Sequence, residues 1–152
     1  MNPPLDRIDR QILRALQRDA SLSLADLADT VALSRSSCGR RLQKLEEAGV
    51  IRARVTLLNA TAVGLPLTVF ISLRTSQHNA QWAQAFRDAV ESIDGIQEVY
   101  RMAGDVDYLL KAVVKDMADY DRLYQQLITV DLLDVSASFV MEEIRATTEL
   151  PV

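Results

Sequence analysis

Four basic side chains, Arg35, Arg40, Arg41 and Lys44, fall within ten residues, and the first acid after them is Glu46. A cationic side chain can neutralise a phosphate, and a guanidinium can also grip guanine O6 and N7 through two parallel hydrogen bonds. Such chemistry needs the charges on one helix whose apolar face is turned inward. Cys38, Leu42 and Leu45 provide that face at helical spacing, which leaves Ser36, Gly39, Arg40, Gln43 and Glu47 pointing outward. Ser34 is placed to cap this helix and Gly49 to end it. Ser36 and Ser37 then occupy the first turn, where hydroxyls and free N–H groups can meet a phosphate or a base. The expected DNA-contacting set is therefore Ser34, Arg35, Ser36, Ser37, Gly39, Arg40, Gln43 and Lys44, with Arg40 as the base reader. A solvated surface helix would explain an isolated charge run; here cap, turn and charge placement agree, which favours DNA.

The elements that must position this helix can be read around it. Ser23 caps a preceding helix, with Asp26 at the third helical position to complete a capping box. Leu24, Leu27, Ala28 and Val31 form its apolar face, and the pattern breaks at Ala32-Leu33-Ser34. Two short helices joined by a tight turn, the second one basic, make a helix-turn-helix. Further upstream, Asp6 caps a first helix, with Asp9 three residues on. Ile8, Ile12, Leu13 and Leu16 face inward, while Arg7, Arg10, Arg14 and Arg18 ride outside. The three helices form a unit of about fifty residues, too small to be very stable alone. Arg52–Leu58 alternates polar and apolar residues and reads as a strand. Asn59–Gly64 reads as a link between domains, punctuated by Gly64 and Pro66.

From Pro66 onward the order is strand, helix, strand, repeated once. Leu67–Arg74, Ile96–Met102, Tyr108–Lys115 and Val135–Ile144 are the strands. Asn79 and Asp116 cap the two helices, whose inward faces are Trp82, Phe86, Ala89 and Val90, and then Met117, Tyr120, Leu123, Tyr124 and Leu127. Two successive βαβ halves predict a ferredoxin-like α/β sandwich with both helices on one sheet face. The fold class is thus α+β: a winged-helix-like helix-turn-helix domain over 1–51, a connecting strand or hinge over 52–65, and a ferredoxin-like βαββαβ sandwich over 66–152. Strand Leu67–Leu73 is apolar at Leu67, Val69, Ile71 and Leu73, and Phe70 is apolar on the other side. Strands that are apolar on both faces expect cover on both. A second copy of the chain is the expected cover, with the linker strand as the alternative, and a homodimer also suits paired recognition helices one DNA turn apart.

Composition bounds the remainder. The chain has 152 residues, 49% hydrophobic and 25% charged, in the range of an ordinary soluble globular protein. Its net charge of −4 argues against a polyanion partner until the chain is divided. Residues 1–58 hold ten Lys/Arg against seven Asp/Glu, giving +3, and the rest hold seven against fourteen, giving −7. That asymmetry is expected when one domain alone faces DNA. No apolar run reaches the ~18 residues of a membrane span, and the N-terminus has no charged head followed by an apolar core. The single cysteine excludes an internal disulfide and fits a reducing cytoplasm. His78 is the only histidine, so no His-based metal site or catalytic triad can be built. With no GxGxxG and no P-loop either, no cofactor and no enzyme activity are expected.

The chain resembles the Lrp/AsnC family of bacterial and archaeal transcriptional regulators. The resemblance rests on LDRIDRQIL at Leu5–Leu13, VALSRSSC at Val31–Cys38 and RRLQKLEEAGVI at Arg40–Ile51. It continues through GDVDYLLK at Gly104–Lys111, Asp116-Met117 and FVMEEI at Phe139–Ile144. It implies a DNA-binding domain, a connecting strand, and a sandwich that oligomerises and senses small molecules. The implied assembly is a dimer that associates further, often to octamers, with an amino-acid effector held between dimers. Carried over by position, the implied effector site comprises Gly104, Asp105 and Asp107 of the Gly-Asp-x-Asp turn, together with Met117, Ser138, Phe139 and Val140. Tyr100 and Met102 would wall it. An anion for the ammonium and turn N–H groups for the carboxylate make chemical sense of that turn. Two departures bear on specificity. Arg35 and Ser37 stand where the family often has prolines, and Ser138 replaces a larger residue of the leucine-responsive type. The alternative is a small-molecule-binding protein or enzyme on the ferredoxin-like domain, with the helices used for protein contacts.

Overall fold

The computed structural model describes residues 4–152. Residues 1–3, part of the stretch read as lacking a leader, lie outside the described residues. The chain divides into a helical unit that runs to Thr56 and includes Arg145–Val152, and a second unit, Leu57–Ile144. Among the described residues no helix is long and apolar enough to cross a membrane.

The helical unit contains α1 (Arg7–Arg18), α2 (Leu24–Thr30) and α3 (Arg35–Glu47). Each begins at the polar cap its sequence provides. Asp6 and Asp9 form a full capping box: the Asp9 N–H donates to Asp6 at 2.8 Å and the Asp6 N–H to Asp9 at 3.1 Å. Ser23 accepts from the Asp26 N–H, but Asp26 takes its return bond from the Ser23 hydroxyl at 2.6 Å rather than from the backbone. Between α2 and α3, Ala32 sits in the left-handed region at φ 54° and turns the chain within the four residues that separate the helices. The end of α3 is a Schellman motif. Gly49, at φ 69°, donates to Glu46 O, and Val50 donates to Leu45 O, each at 3.0 Å. Ile12, Leu13, Leu27, Ala28, Val31, Cys38 and Leu45 close over one another as the core, which is the apolar set the helical spacing selects.

The last eight residues correct the expected boundary of the sandwich, because they lie with the helices. The Gln17 amide exchanges two hydrogen bonds with the Leu150 backbone, at 3.1 and 2.6 Å. Arg14 Nε donates to Val152 O at 2.6 Å, and the Val152 side chain packs against the helical core. A second correction concerns Arg52–Leu58, which is not a strand: Val55, Leu57 and Leu58 are 69%, 69% and 72% exposed. An alternating segment becomes a strand only when another backbone accepts from its N–H groups and donates to its C=O groups, and among the described residues none does. The link that follows is a closed turn, with the Ala62 N–H on the Asn59 side chain at 3.1 Å and the Leu65 N–H on Ala60 O at 2.8 Å.

The second unit contains β1 (Leu67–Arg74), α4 (Ala80–Ser92), β2 (Ile96–Arg101), β3 (Tyr108–Val114), α5 (Met117–Leu127) and β4 (Asp134–Phe139). The strands pair antiparallel in the order β2-β3-β1-β4, the ferredoxin-like arrangement. Val69, Ile71 and Leu73 of β1 and Leu110, Ala112 and Val114 of β3 meet Trp82, Phe86, Val90, Leu123 and Leu127 of the helices. Trp82 stacks on Phe86 at 5.1 Å and Tyr108 lies 4.5 Å from Phe86, forming an aromatic cluster at one end of the core. The expected last strand ends at Phe139, short of Ile144. Val140 still donates to Thr68 O at 2.9 Å. Two positions further, the chain on the β1 side is Pro66, which has no N–H to extend the ladder.

The register assigns the other sheet face. Thr68, Phe70 and Ser72 of β1 share it with Leu109, Lys111 and Val113 of β3, Tyr100 of β2, and Ser136 and Ser138 of β4. Neither α4 nor α5 lies on that side, since both pack on the residues of opposite parity.

Candidate DNA-binding and effector-binding sites

Ser34 sets the start of α3. Its hydroxyl accepts from the Ser37 N–H at 3.2 Å and donates to Ser37 Oγ at 2.9 Å. This places the first-turn N–H groups and hydroxyls at the exposed end of the helix, where the positive end of the helix dipole favours an anion. Ser34, Arg35, Ser36, Gly39, Arg40 and Gln43 line one shallow open surface together with Leu24 of α2. Six of the eight expected DNA contacts thus form a continuous face. Ser37 is half-buried beneath Arg40, whose guanidinium reaches its hydroxyl at 3.5 Å. Lys44 is exposed one turn beyond Arg40. Gly39 has a role that sequence reasoning missed: a Cβ there would lie 3.3 Å from Leu24 Cδ2, so its small size lets α3 approach α2 closely. Gln43 donates to Glu47 at 2.7 Å and must leave that bond to reach a base.

Arg41 departs from the charge run to which it belongs. Its Nη1 lies 2.6 Å from Asp6 and 2.8 Å from Asp9, so it is spent inside the unit. Among the described residues no carboxylate lies within ion-pair distance of Arg35, Arg40 or Lys44. Those three carry the uncompensated charge.

The residues of the implied effector site fall at two ends of the sheet. Gly104, Asp105 and Asp107 form the turn between β2 and β3, with Gly104 in a left-handed conformation at φ 121°. Asp107 holds this turn to the loop after β1. Its Oδ2 accepts from the Thr75 N–H at 2.8 Å, its N–H donates to Leu73 O at 3.0 Å, and its carbonyl accepts from Met102 at 2.8 Å. Its other carboxylate oxygen has no hydrogen bond among the described residues. Asp107 and Met102 line a cavity of about 320 Å³ with Gln77, His78, Trp82, Arg101 and Tyr108. Gly104 and Asp105 are exposed beside it. Arg101 and His78 were missed; strand alternation does place Arg101 on the face opposite Tyr100. Tyr100 points to the open sheet face, where its hydroxyl donates to Glu98. That bond holds the Glu98 carboxyl below its usual range and pushes the Tyr100 phenol up.

Met117, Ser138, Phe139 and Val140 lie at the opposite end. Ser138 and Phe139 oppose Phe70 and Val69, while Asp107 follows the pairing of Leu73 with Tyr108, about 13–20 Å away along β1. Phe139 is packed inward, edge-on to Tyr120 at 5.0 Å, and Ser138 necessarily points to the other face. Met117 is 56% exposed at the start of α5. One chain therefore does not gather the nine residues into one pocket. A larger, more open groove of about 630 Å³ runs along α4 and β2 past Phe86, Val90 and Val99, but Met102, Asp107 and the rest of the implied set are absent from it.

The helices and the sandwich each match a known domain. The Lrp/AsnC ligand binding domain matches residues 68–150, and a winged helix-turn-helix DNA-binding domain matches residues 5–52. The glutamate uptake regulatory protein of Zymomonas mobilis is 45% identical, over 97% of this chain and 90% of its own length. The crystal structure of an AsnC family transcriptional regulator from Agrobacterium tumefaciens is 51% identical, with a TM-score of 0.92 and 97% of each chain covered. A transcriptional regulator from Neisseria meningitidis, crystallised as an L-Met complex, is 33% identical with a TM-score of 0.91, again over 97% of each chain. With a recognition helix exposed for DNA and both domains matched along nearly the whole chain, this protein belongs to the Lrp/AsnC family of transcriptional regulators.

Proposed function

We propose that this regulator binds operator DNA through Ser34, Arg35, Ser36, Arg40, Gln43 and Lys44, and that an amino acid bound between copies of the chain adjusts that binding. The observation that carries the DNA reading is the unopposed charge of Arg35 and Arg40 on one exposed surface of α3, with Lys44 exposed one turn beyond Arg40. The effector reading is supported by the separation of the implied site into two ends of one sheet. A second copy that brings the Met117–Val140 end to an Asp107 end would complete a pocket that a single chain leaves in halves. The free carboxylate oxygen of Asp107 then faces the ammonium of the ligand, and the turn N–H groups face its carboxylate. The Neisseria relative was crystallised with L-Met, and an amino acid is the ligand class proposed for this chain. Ligand binding at such a junction changes which assembly is favoured, and hence which operator sites the recognition helices span together. The regulator works in the cytoplasm as a homodimer that associates further, to an octamer, and carries out no turnover.

The test is a thermal-shift screen against the twenty amino acids on wild type and on Asp107→Asn, at a fixed chain concentration. Asn keeps an acceptor for the Thr75 N–H and removes the charge, so the turn survives. A ligand at a hundred times its dissociation constant stabilises by ~2.7 kcal/mol, a rise of roughly 5–10 °C for a chain of this size. One amino acid should stabilise wild type and lose that effect in Asp107→Asn. A flat screen on wild type rejects an amino-acid effector.

A further inference from the structure

The basic run of α3 contains two kinds of cation. Arg35, Arg40 and Lys44 face outward, whereas Arg41 turns back to α1, with its side chain 35% exposed against an Asp9 carboxylate only 17% exposed. Nη1 reaches Asp6 Oδ2 at 2.6 Å and Asp9 Oδ1 at 2.8 Å. The remaining oxygen of each carboxylate is taken by the capping box, Asp6 Oδ1 by the Asp9 N–H and Asp9 Oδ2 by the Asp6 N–H. The two acids are therefore fixed by the start of α1 before they meet the guanidinium. Arg41 adjoins Arg40 in sequence and is held at residues 32 and 35 positions away.

We propose that Asp6, Asp9 and Arg41 form a positioning node that fixes how α3 presents Arg40 and its neighbours to the bases, so that Arg41 governs operator specificity without touching DNA. An ion pair this exposed adds little to global stability. What it does supply is geometry, because Nη1 of Arg41 is held between two carboxylates already fixed by the start of α1, which restrains how α3 sits against α1. Recognition of base edges depends on such sub-ångström placement. The node also keeps two carboxylates occupied near a helix that must meet a polyanion.

The charge arithmetic makes the proposal separable from its rivals. Removing an acid from a DNA-binding unit ordinarily tightens binding to any duplex; the node predicts the reverse for the operator. The experiment selects a duplex from a random library with wild-type full-length protein. It then measures affinity for that duplex and for a shuffled one, as a function of salt, for Asp6→Asn, Asp9→Asn, Arg41→Lys and Arg41→Gln. Asn at either acid keeps the backbone acceptor of the capping box, and thermal melts check that each variant is folded. We expect about two- to fivefold weaker binding to the selected duplex for each variant, the scale of a partly exposed charged pair. Binding to the shuffled duplex and the slope of log affinity against log salt should stay at wild-type values. Asp9→Asn with Arg41→Lys together should lose no more than the worse single variant. Three results would overturn the node. One is equal loss on both duplexes for Arg41→Gln, with a slope shallower by about 0.9 and Arg41→Lys near neutral, which makes Arg41 a phosphate contact. Another is tighter binding by Asp9→Asn to both duplexes. The third is a lowered melting temperature with both affinities unchanged. Should Arg41→Gln fail to fold, Asp9→Asn and Arg41→Lys decide the question.

Discussion

Arg40 and Gly95 show how much a single position can carry here. Arg40 is exposed on the face proposed to meet DNA, with the Ser37 hydroxyl beside it. Arg40→Ala should cost ~1–3 kcal/mol of specific binding and relax one operator position, measured by affinity across single-base operator variants. Equal loss on every sequence would reassign it to phosphate contact. Gly95 acts through the backbone instead. It holds φ 94°, and a Cβ there would lie 2.7 Å from Val113 O, while its own carbonyl accepts from the Val113 N–H at 2.9 Å. Neither neighbour is a flexible side chain that could move aside. Gly95→Ala should therefore destabilise by about 2–3 kcal/mol, seen as a lower urea midpoint, by strain in the left-handed region together with a backbone clash. Nothing in the sequence shows Val113 pressed against Gly95.

The helices show that local rules settled their starts and only partly their roles. Ser34→Ala should cost ~1 kcal/mol of stability through loss of the cap on α3, and it should weaken DNA binding because the first turn frays. Asp6 adds a pH dependence. The Asp9 N–H, and after it Arg41, hold its carboxyl below the usual value of 3.8. A carboxyl depressed in the folded state stabilises in full above its unfolded value and loses that contribution as pH falls through its folded one. Asp119 is depressed too, chiefly by the Lys115 N–H. The urea midpoint should thus stay level from about pH 7 to 5 and fall below about pH 4, with Asp6→Asn removing part of that fall. Unchanged pH profiles for wild type and variant would place the stabilising bond elsewhere.

At the scale of the whole molecule, the sheet face that neither α4 nor α5 covers bears on the proposed assembly. Phe70 and Tyr100 are 39% and 49% exposed there, beside Leu109 and Val113, while Lys111 is countered by Glu98 at 3.6 Å. A face mixing aromatic and aliphatic groups with a few satisfied charges suits a second copy of the same chain. Sedimentation should find a dimer or larger species. Phe70→Glu should shift the population toward smaller species while leaving the far-ultraviolet dichroism unchanged. If Phe70→Glu sediments as wild type does, this face is not the contact.

The sequence by itself determined what rests on neighbours within one turn or one strand. Asp6, Ser23, Ser34, Asn79 and Asp116 start their helices because a short polar side chain meets the N–H three residues on. Alternation along Leu67–Arg74 fixed β1 because each buried side chain there had a core to enter. The helix-turn-helix, the sandwich and the outward face of Arg40 followed from those periods. Tertiary structure alone decided what depends on a distant partner. Arg41 parted from the other cations of α3 because two acids more than thirty residues away hold its guanidinium. Arg52–Leu58 had the pattern of a strand without a backbone to pair with, and the last strand stopped where Pro66 ended its template. The tail 145–152 joined the helices because Gln17 offered both a donor and an acceptor to the Leu150 backbone. The implied effector residues, adjacent in the logic of motifs, were parted because a strand separates its ends by its own length.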